Sequence, residues 1–445
     1  MKPDKTEHFP VILDTIAKLK KFVGQWPEFD IVTLPNVRVS MLVKNTFTHD
    51  ARVLREAQTL QAAGHQVQVV ALSAPGLPTH EISSDGIQIA RVSRGPGAKL
   101  RGVSDPTRAT GKPSKQRSLF MRLAVRVVRF AAKTPLSSFV QAGIDARMAS
   151  EVLRFKPDVI HAHDLDTLEL GSRLKFEFGI PLVYDSHEIA TDRNHHNQAQ
   201  KLRAEKKESH LITKADFVIM VSNGCAQFTA DKYGIPLPAV IMNTPDYDPA
   251  EIQIRDLREQ LNIPENKMVL VHQGSLQKNR GVEQTIDAVR DIPNITYVII
   301  GYGQHRPFLE NYVVQAGLSE KVKFFGPVSA DELIEWTASA DIGICTIVGK
   351  TKSYLYSMPN KLFEYTMAGL PVVASNYPDM GAFVSENQMG ITCDPESPTS
   401  IANAIKMLLE DPALREKLAN GAKIARETFN WGNEQKKLLE IYSKF

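Results

Sequence analysis

Cysteine is scarce in this chain of 445 residues: Cys225, Cys345 and Cys393 are the full set, odd in number and far apart. That excludes a disulfide framework and a zinc knuckle, and it fits a reducing compartment. No apolar run approaches the roughly 20 residues that a membrane-spanning helix needs, and MKPDKTEHFP lacks the pattern of a signal peptide. The expected location is therefore cytoplasmic, with peripheral attachment to the cytoplasmic face of a membrane left open. An excess of one charge is also missing, since 53 Lys and Arg stand against 50 Asp and Glu for a net charge of +3. Nucleic acid is not an expected partner on that balance, and any basic surface has to come from local clustering.

What is present is length and alternation. A chain this long exceeds what one hydrophobic core usually serves, so more than one domain is expected. Residues 1–36 form a prefix, helical in VILDTIAKLKKFV and then broken by Pro27 and Pro35. From Val37, short apolar strands alternate with helical patterns: VRVSMLV, a helix from about Asp50 to Ala63 stopped by Gly64, then VQVVAL, IQIARV, PDVIHAH, PLVYDSH and DFVIMVS. A second series opens at Lys267 with KMVLVHQGS and runs through NITYVIIGYG, KVKFFGPV, ADIGICTIV and LPVVAS. Two such series predict an α/β chain with two Rossmann-like, doubly wound parallel sheets. The boundary is expected in IMNTPDYDPAEI, giving domains over 37–243 and 244–428, with a closing helix in 429–445.

An insertion at about 94–133 interrupts the first domain. From Lys99 to Lys133 it carries ten bases against one acid, Asp105. Arg122, Arg126, Arg129 and Lys133 fall on one helical face, opposite Leu119, Leu123, Val127 and Phe130. The pattern suits an anionic membrane surface or a phosphate-bearing acceptor, and equally a solvated basic face on a helix packed against the sheet.

The chemistry-bearing segments sit where strands end. In PNKLFEYTMAGLPVVAS, Pro359 suits the first turn of a helix, Gly369 its stop, and Lys361 and Glu364 stand one turn apart. A helix N-terminus carrying a Lys favours a diphosphate, and a carboxylate one turn on can accept from ribose hydroxyls. An isolated pair of this kind is more often an ordinary surface pair. Gly274 and Gly281 bracket a polar loop carrying Lys278 and Arg280 ahead of the helix VEQTIDAVR, which suits close approach to phosphates. In the first series, His161 and His163 share a strand face and precede Asp164, and the next strand ends in Asp185, Ser186, His187 and Glu188. Three readings stand for the histidines: a metal site, packing, or an acid/base or ligand-facing His163. Asp50 and Arg52 start a helix above the sheet, where Asp50 serves equally as an N-cap.

Taken together, NTFTHDARVLREAQTLQAAGHQVQVVAL, VIHAHDLDTLELG, PLVYDSHE, HQGSLQKNRGVEQTIDAV, VKFFGPV with SADIGI, and PNKLFEYTMAGLPVVAS resemble the GT-B glycosyltransferases, and specifically the retaining glycosyltransferase family 4. The segments follow the family's order from about residue 37 onward. The resemblance implies two Rossmann-like domains facing a cleft, a nucleotide-diphosphate sugar in the second domain, a glycan or lipid-linked acceptor in the first, and no metal or other cofactor. It also implies a final helix that crosses back to the first domain.

Residue by residue, the resemblance assigns Glu364 to the donor ribose and Arg280 to the place of the family's diphosphate-binding Lys. Gly274 and Ser275 begin that loop, but Ser275 stands where the family has an Arg, leaving Lys361 or Lys278 to compensate. Tyr356 replaces the first Glu of the Glu-x7-Glu pattern, so sugar recognition must differ. SMPNKLFEY is similar to a subgroup that lacks this Glu, and Pro359 and Asn360 fall near the sugar. His163 with Asp164 resembles the family's His-acid element, implying contact with the donor sugar or the attacking hydroxyl. Asp50, Arg52, His187 and Glu188 fall on the acceptor side. The implied activity is retaining sugar transfer to an acceptor hydroxyl, in polysaccharide or glycolipid biosynthesis. Three other functions share the same residues: a nucleotide-sugar epimerase of this fold, a metal-dependent hydrolase using His161, His163 and Asp164, and a non-catalytic scaffold, for which Ser275 and Tyr356 speak.

Overall fold

A computed structural model of the chain describes residues 36–95, 136–193, 196–246, 248 and 252–445. The prefix up to residue 35 and the basic insertion from residue 96 to 133 lie outside these residues.

Strands β1 (Arg38–Leu42), β2 (Gln66–Leu72), β3 (His80–Ile82), β4 (Gln88–Val92), β5 (Val159–His163), β6 (Leu182–Ser186), β7 (Phe217–Met220) and β8 (Ala239–Val240) form one sheet in the order β3-β4-β2-β1-β5-β6-β7-β8. The second sheet contains β9 (Met268–Gln273), β10 (Ile295–Ile300), β11 (Val322–Gly326), β12 (Ile342–Cys345), β13 (Val372–Ser375) and β14 (Gly390–Cys393), in the order β11-β10-β9-β12-β13-β14. In each sheet the order reverses beside the first strand, between β1 and β5 and between β9 and β12. These reversals are the topological switch points at which open α/β sheets bind ligands. The architecture is thus the two-domain Rossmann-like one that the alternation predicts.

Burial on both faces explains why the strands read as near-continuous apolar runs. In β9, Val269 and Val271 enter one core cluster while Leu270 enters the cluster on the opposite face. In β1, Val39 and Met41 point one way and Leu42 the other. Each such fully buried side chain contributes about 1.5–3 kcal/mol through apolar surface removed from water.

Three strands escaped the sequence reading. β3 is a short edge strand, antiparallel to β4, formed where Asp85 and Gly86 turn the chain back with Gly86 at φ 84°. Exposed His80 and Ile82 gave no buried-strand signal. β8 has two residues, and β14, GITC, has no apolar alternation.

The helix Trp431–Tyr442 leaves the second domain and packs on the first. Trp431, Leu438, Ile441 and Tyr442 are buried in the same cluster as Val39 and Met41. Trp431 donates its indole N–H to Thr59 Oγ1 at 2.9 Å, and Glu434 accepts from the backbone N–H of Met242 at 2.8 Å.

Candidate active site

The carboxyl ends of both sheets open on one cleft of about 1600 Å³. From the second domain its lining includes Gly274, Ser275, Arg280, Pro359, Lys361 and Glu364.

The loop after β9 is fixed by backbone contact. Gly281 lies at φ 75°, and a Cβ there would collide with the Thr346 carbonyl in the loop after β12. The loop therefore folds against the neighbouring strand end and directs Arg280 into the cleft. Lys278 is exposed and does not line the cleft.

The helix Asn360–Ala368 begins after Pro359 and ends at Gly369, which adopts the left-handed conformation at φ 69°. Its Lys361 and Glu364 are not the surface pair that such spacing usually gives. Lys361 is only 8% exposed, and its Nζ lies 3.0 Å from His272 Nε2 at the end of β9. Glu364 Oε2 accepts from Gln273 Nε2 at 2.5 Å. Burial, with Arg280 adding to it, brings Lys361 down to about 8, and burial raises Glu364 despite the bond from Gln273. Burial also holds His272 well below the usual imidazole range, with Lys361 and Arg280 reinforcing it, so His272 is neutral and accepts from the ammonium. Among the described residues neither Lys361 nor Arg280 forms an ion pair with a carboxylate, and Arg280 Nε is buried without a partner. Two cations facing a cleft without a paired carboxylate suit a bound anion.

Tyr356 turns away from the cleft. Its ring packs near Phe228, at 6.2 Å between centroids, and its carbonyl accepts from Ser222 Oγ at 2.8 Å. Nearby, Ser353 donates to Glu188 at 3.0 Å, and Asp379 accepts from the Gly224 N–H at 2.9 Å on the helix Asn223–Tyr233. The position expected near the donor sugar thus belongs to a clasp between the two domains. Asn360 also bridges them, accepting from Asn243 at 2.8 Å.

From the first domain, Asp50, Arg52, His187 and Glu188 line the cleft. Asp50 caps the helix Ala51–Ala62 by accepting from the Val53 N–H at 3.3 Å. Arg52 is buried and bidentate on Asp185, with Nε and Nη2 each 2.8 Å from one carboxylate oxygen. Burial opposes ionisation of Asp185, but Arg52 and then His187 outweigh it and hold the carboxyl well below its usual range. Burial works against His187 too, yet Asp164 and Asp185 push it up to about 9.

His163 is 2% exposed and does not line the cleft. It sits one layer behind His187, with Nδ1 3.2 Å from His187 Nε2 and 3.3 Å from Asp185 Oδ2, and stacks on His161 at 4.3 Å. Burial lowers His163 despite the bond to Asp185. Asp164, at φ 61° in the left-handed region, turns to His187 and accepts its backbone N–H at 3.2 Å. Strain of this kind persists only where the surroundings over-determine it.

The group able to hold a metal is not the one grouped by sequence. Glu56, His161, His163 and Asp185, without Asp164, bring ligand atoms within 4.8 Å of one another. Arg52 already sets a positive charge among them, gripping Asp185 and lying 3.1 Å from Glu56. That arrangement suits a shared proton better than a dication. Sequence reading assigned no role to Glu56, His272 or Gln273. The i,i+4 spacing of Arg52 and Glu56, and the place of His272 two residues before Gly274, were the available signals.

Two Rossmann-like domains facing a shared cleft define the GT-B class. Residues 49–244 match the family described as Glycosyl transferase 4-like domain, and residues 253–425 match Glycosyl transferases group 1. Between them these matches take in most of the chain, which belongs among the GT-B glycosyltransferases of family 4 type. It is 27% identical to an uncharacterized glycosyltransferase of Methanocaldococcus jannaschii over 64% of this chain and 75% of that one. It is 24% identical to a glycogen synthase of Mycobacterium tuberculosis over 86% and 87%. The fold matches sucrose-phosphate synthase from Thermosynechococcus elongatus with a TM-score of 0.71 at 19% identity, covering 92% of this chain and 98% of that one. It also matches Anabaena HepE in complex with UDP-glucose, with a TM-score of 0.66 at 20% identity, covering 92% and 100%.

Proposed function

We propose that the chain transfers a sugar, with retention at the anomeric carbon, from a nucleoside diphosphate to an acceptor hydroxyl, and that it needs no metal. The observation that carries this reading is the cation pair of buried Lys361 and half-buried Arg280 at the floor of the interdomain cleft, without a carboxylate partner among the described residues and beside the N-terminus of the helix Asn360–Ala368. A diphosphate supplies the missing anion, and as the leaving group it gathers negative charge where the two cations and the helix N–H groups converge. Glu364, one turn on, accepts from the ribose hydroxyls.

Transfer breaks the bond between the anomeric carbon and the phosphate oxygen, whose electron pair leaves with the diphosphate. The acceptor oxygen bonds to the same face, and its proton passes to the departing phosphate. His187 at the cleft wall orients the acceptor hydroxyl, while His163 and Asp185 hold His187 from behind. Closure of the domains through Tyr356 and Asp379 limits water at the reacting centre.

The acceptor is proposed to be a glycan or a lipid-linked glycan in polysaccharide or glycolipid biosynthesis. Ser93, Arg94 and Gly95 line the acceptor side of the cleft and lead directly into the basic insertion. That continuity favours an anionic acceptor or membrane surface there.

Thermal-shift screening against nucleotide sugars tests the donor site, because a ligand of the folded state raises the melting temperature. Arg280→Ala and Glu364→Ala are expected to lose that shift, and NMR of the product to show the donor's anomeric configuration. Binding unchanged in both variants would overturn the donor site, and an inverted product would overturn retention. Sedimentation with anionic vesicles at low salt tests the membrane contact, and failure to co-sediment would count against it.

A further inference from the structure

The assignment of Lys361 to the diphosphate raises the question of what aims it. A lysine is a flexible point charge, and the loop 274–281 brings only Arg280 to share its load, because Ser275 follows Gly274 and the exposed Lys278 does not line the cleft. The side chain has to hold one direction while nearly buried, with Cys345 on β12, Arg280 on the facing loop and Glu364 on its own helix around it. None of these supplies a hydrogen-bond acceptor to its ammonium, whereas His272 does, at 3.0 Å.

We propose that His272 is a positioning residue for the donor diphosphate: its unprotonated Nε2 accepts from the Lys361 ammonium and directs the remaining N–H groups at the phosphates. The inference rests on the donor site proposed above and goes beyond it by naming the residue that aims the lysine of its cation pair. His272 is fully buried one residue from the cleft end of β9, next to Gln273, which holds Glu364. Two consecutive residues of β9 therefore orient the phosphate-binding and ribose-binding side chains of one helix. With Nε2 accepting, the ring proton lies on Nδ1, which is buried and has no hydrogen-bond partner among the described residues. A buried unpaired N–H is costly, so the tautomer is held by what Lys361 requires on the other side of the ring.

The same geometry links donor binding to pH. A bound diphosphate favours the ammonium, so affinity holds below about 8 and falls above it as Lys361 of the free protein loses its proton. Removing the acceptor disfavours the ammonium, so the fall begins at lower pH.

The test measures the affinity of the full-length protein for UDP, GDP and ADP and for the matching nucleosides, from pH 6 to 10, in wild type, His272→Leu, His272→Gln and Lys361→Met. His272→Leu is expected to weaken the diphosphate that binds by about tenfold, to leave the nucleoside unchanged, and to move the alkaline fall to lower pH. His272→Gln, which keeps an acceptor oxygen, is expected to recover most of both. A His272→Leu protein with wild-type affinity and pH onset, or one weakened equally for nucleoside and diphosphate, would overturn the proposal. Lys361→Met binding diphosphate as well as wild type would instead overturn the donor site itself. Should His272→Leu fail to fold, nitrogen NMR of histidine-labelled wild type decides: an Nδ1–H tautomer is expected for His272, and an Nε2–H tautomer would refute the role.

Discussion

Arg52 and Asp185 lie 133 residues apart in sequence, yet meet in a buried bidentate pair, with both nitrogen–oxygen distances at 2.8 Å. The pair ties the helix after β1 to the end of β6, and so fixes the acceptor wall of the cleft. Arg52 also donates to the Ile241 carbonyl at 2.8 Å, reaching the last segment of the first domain. Asp185→Asn is expected to leave the buried guanidinium with Glu56 as its remaining carboxylate, without the bidentate bonds, and to lower unfolding free energy by about 1.5–3 kcal/mol. Urea denaturation measures it; a loss below about 1 kcal/mol would show that the pair is not holding this wall.

Beside that pair, Glu56 is buried against Arg52 and His161, and burial, with Asp185 adding to it, pushes its carboxyl up to about 8 from an ordinary 4.5. A folded-state value above the unfolded one means that the folded protein holds the proton more tightly. The stabilisation is therefore complete below about 4.5 and is lost as pH rises through 8. Glu56→Gln, which mimics the protonated form, is expected to remove that part of the pH dependence. Unfolding curves at pH 5, 6.5 and 8 check this, and a variant with the wild-type slope would contradict it.

The domain clasp has one position where size alone matters. At Gly224, a Cβ would collide with Tyr356 Cδ1 and lie 2.5 Å from Asp379 Oδ1. Gly224→Ala is expected to push the domains apart and to slow transfer by about tenfold or more, since small displacements of reacting groups are costly. Small-angle scattering should give a larger radius of gyration for the variant. An unchanged radius with unchanged turnover would mean that the clasp has no part in closure.

The fold was legible because burial on both faces of a parallel sheet leaves a mark that needs no partner to be read. VLVHQ and VVAS announce themselves as interior strands, and Gly281 and Gly369 mark turns that the backbone then requires. Short edge strands such as β3 and β14 leave no such mark, being half exposed or mixed in composition. The candidate site was legible as far as chemistry follows local order: Lys361, Arg280 and Glu364, from motifs whose residues suit a nucleotide, line one cleft. Depth was not legible. His163 stands at the carboxyl end of its strand beside the switch point, where a ligand-facing residue would stand, but stacking on His161 and the grip of Asp185 keep it behind His187. Nor could spacing foretell that Tyr356 would turn to Phe228, because that contact depends on how the two domains meet.

The order of His187 and His163 along one line from the cleft makes their substitutions distinguishable. His187 faces the cleft and, despite burial, is pushed up to about 9 by Asp164 and Asp185, so it is a cation at neutral pH. Its folded-state value lies above the ordinary 6.5, so the stability it contributes is complete below that pH and lost as pH rises through about 9. If the cation orients the acceptor, turnover should decline over the same alkaline range, while nucleotide binding declines only with Lys361, near 8. His187→Gln is expected to lower kcat by about 10²-fold with nucleoside diphosphate affinity unchanged. His163→Gln, acting one layer back, should cost less in kcat and more in stability, because its ring is packed on His161 and bonded to Asp185. Steady-state kinetics and urea denaturation of the two variants separate these outcomes. A His163→Gln enzyme more severely impaired in kcat than His187→Gln, and equally stable, would mean that His163 itself reaches the substrate when the donor is bound.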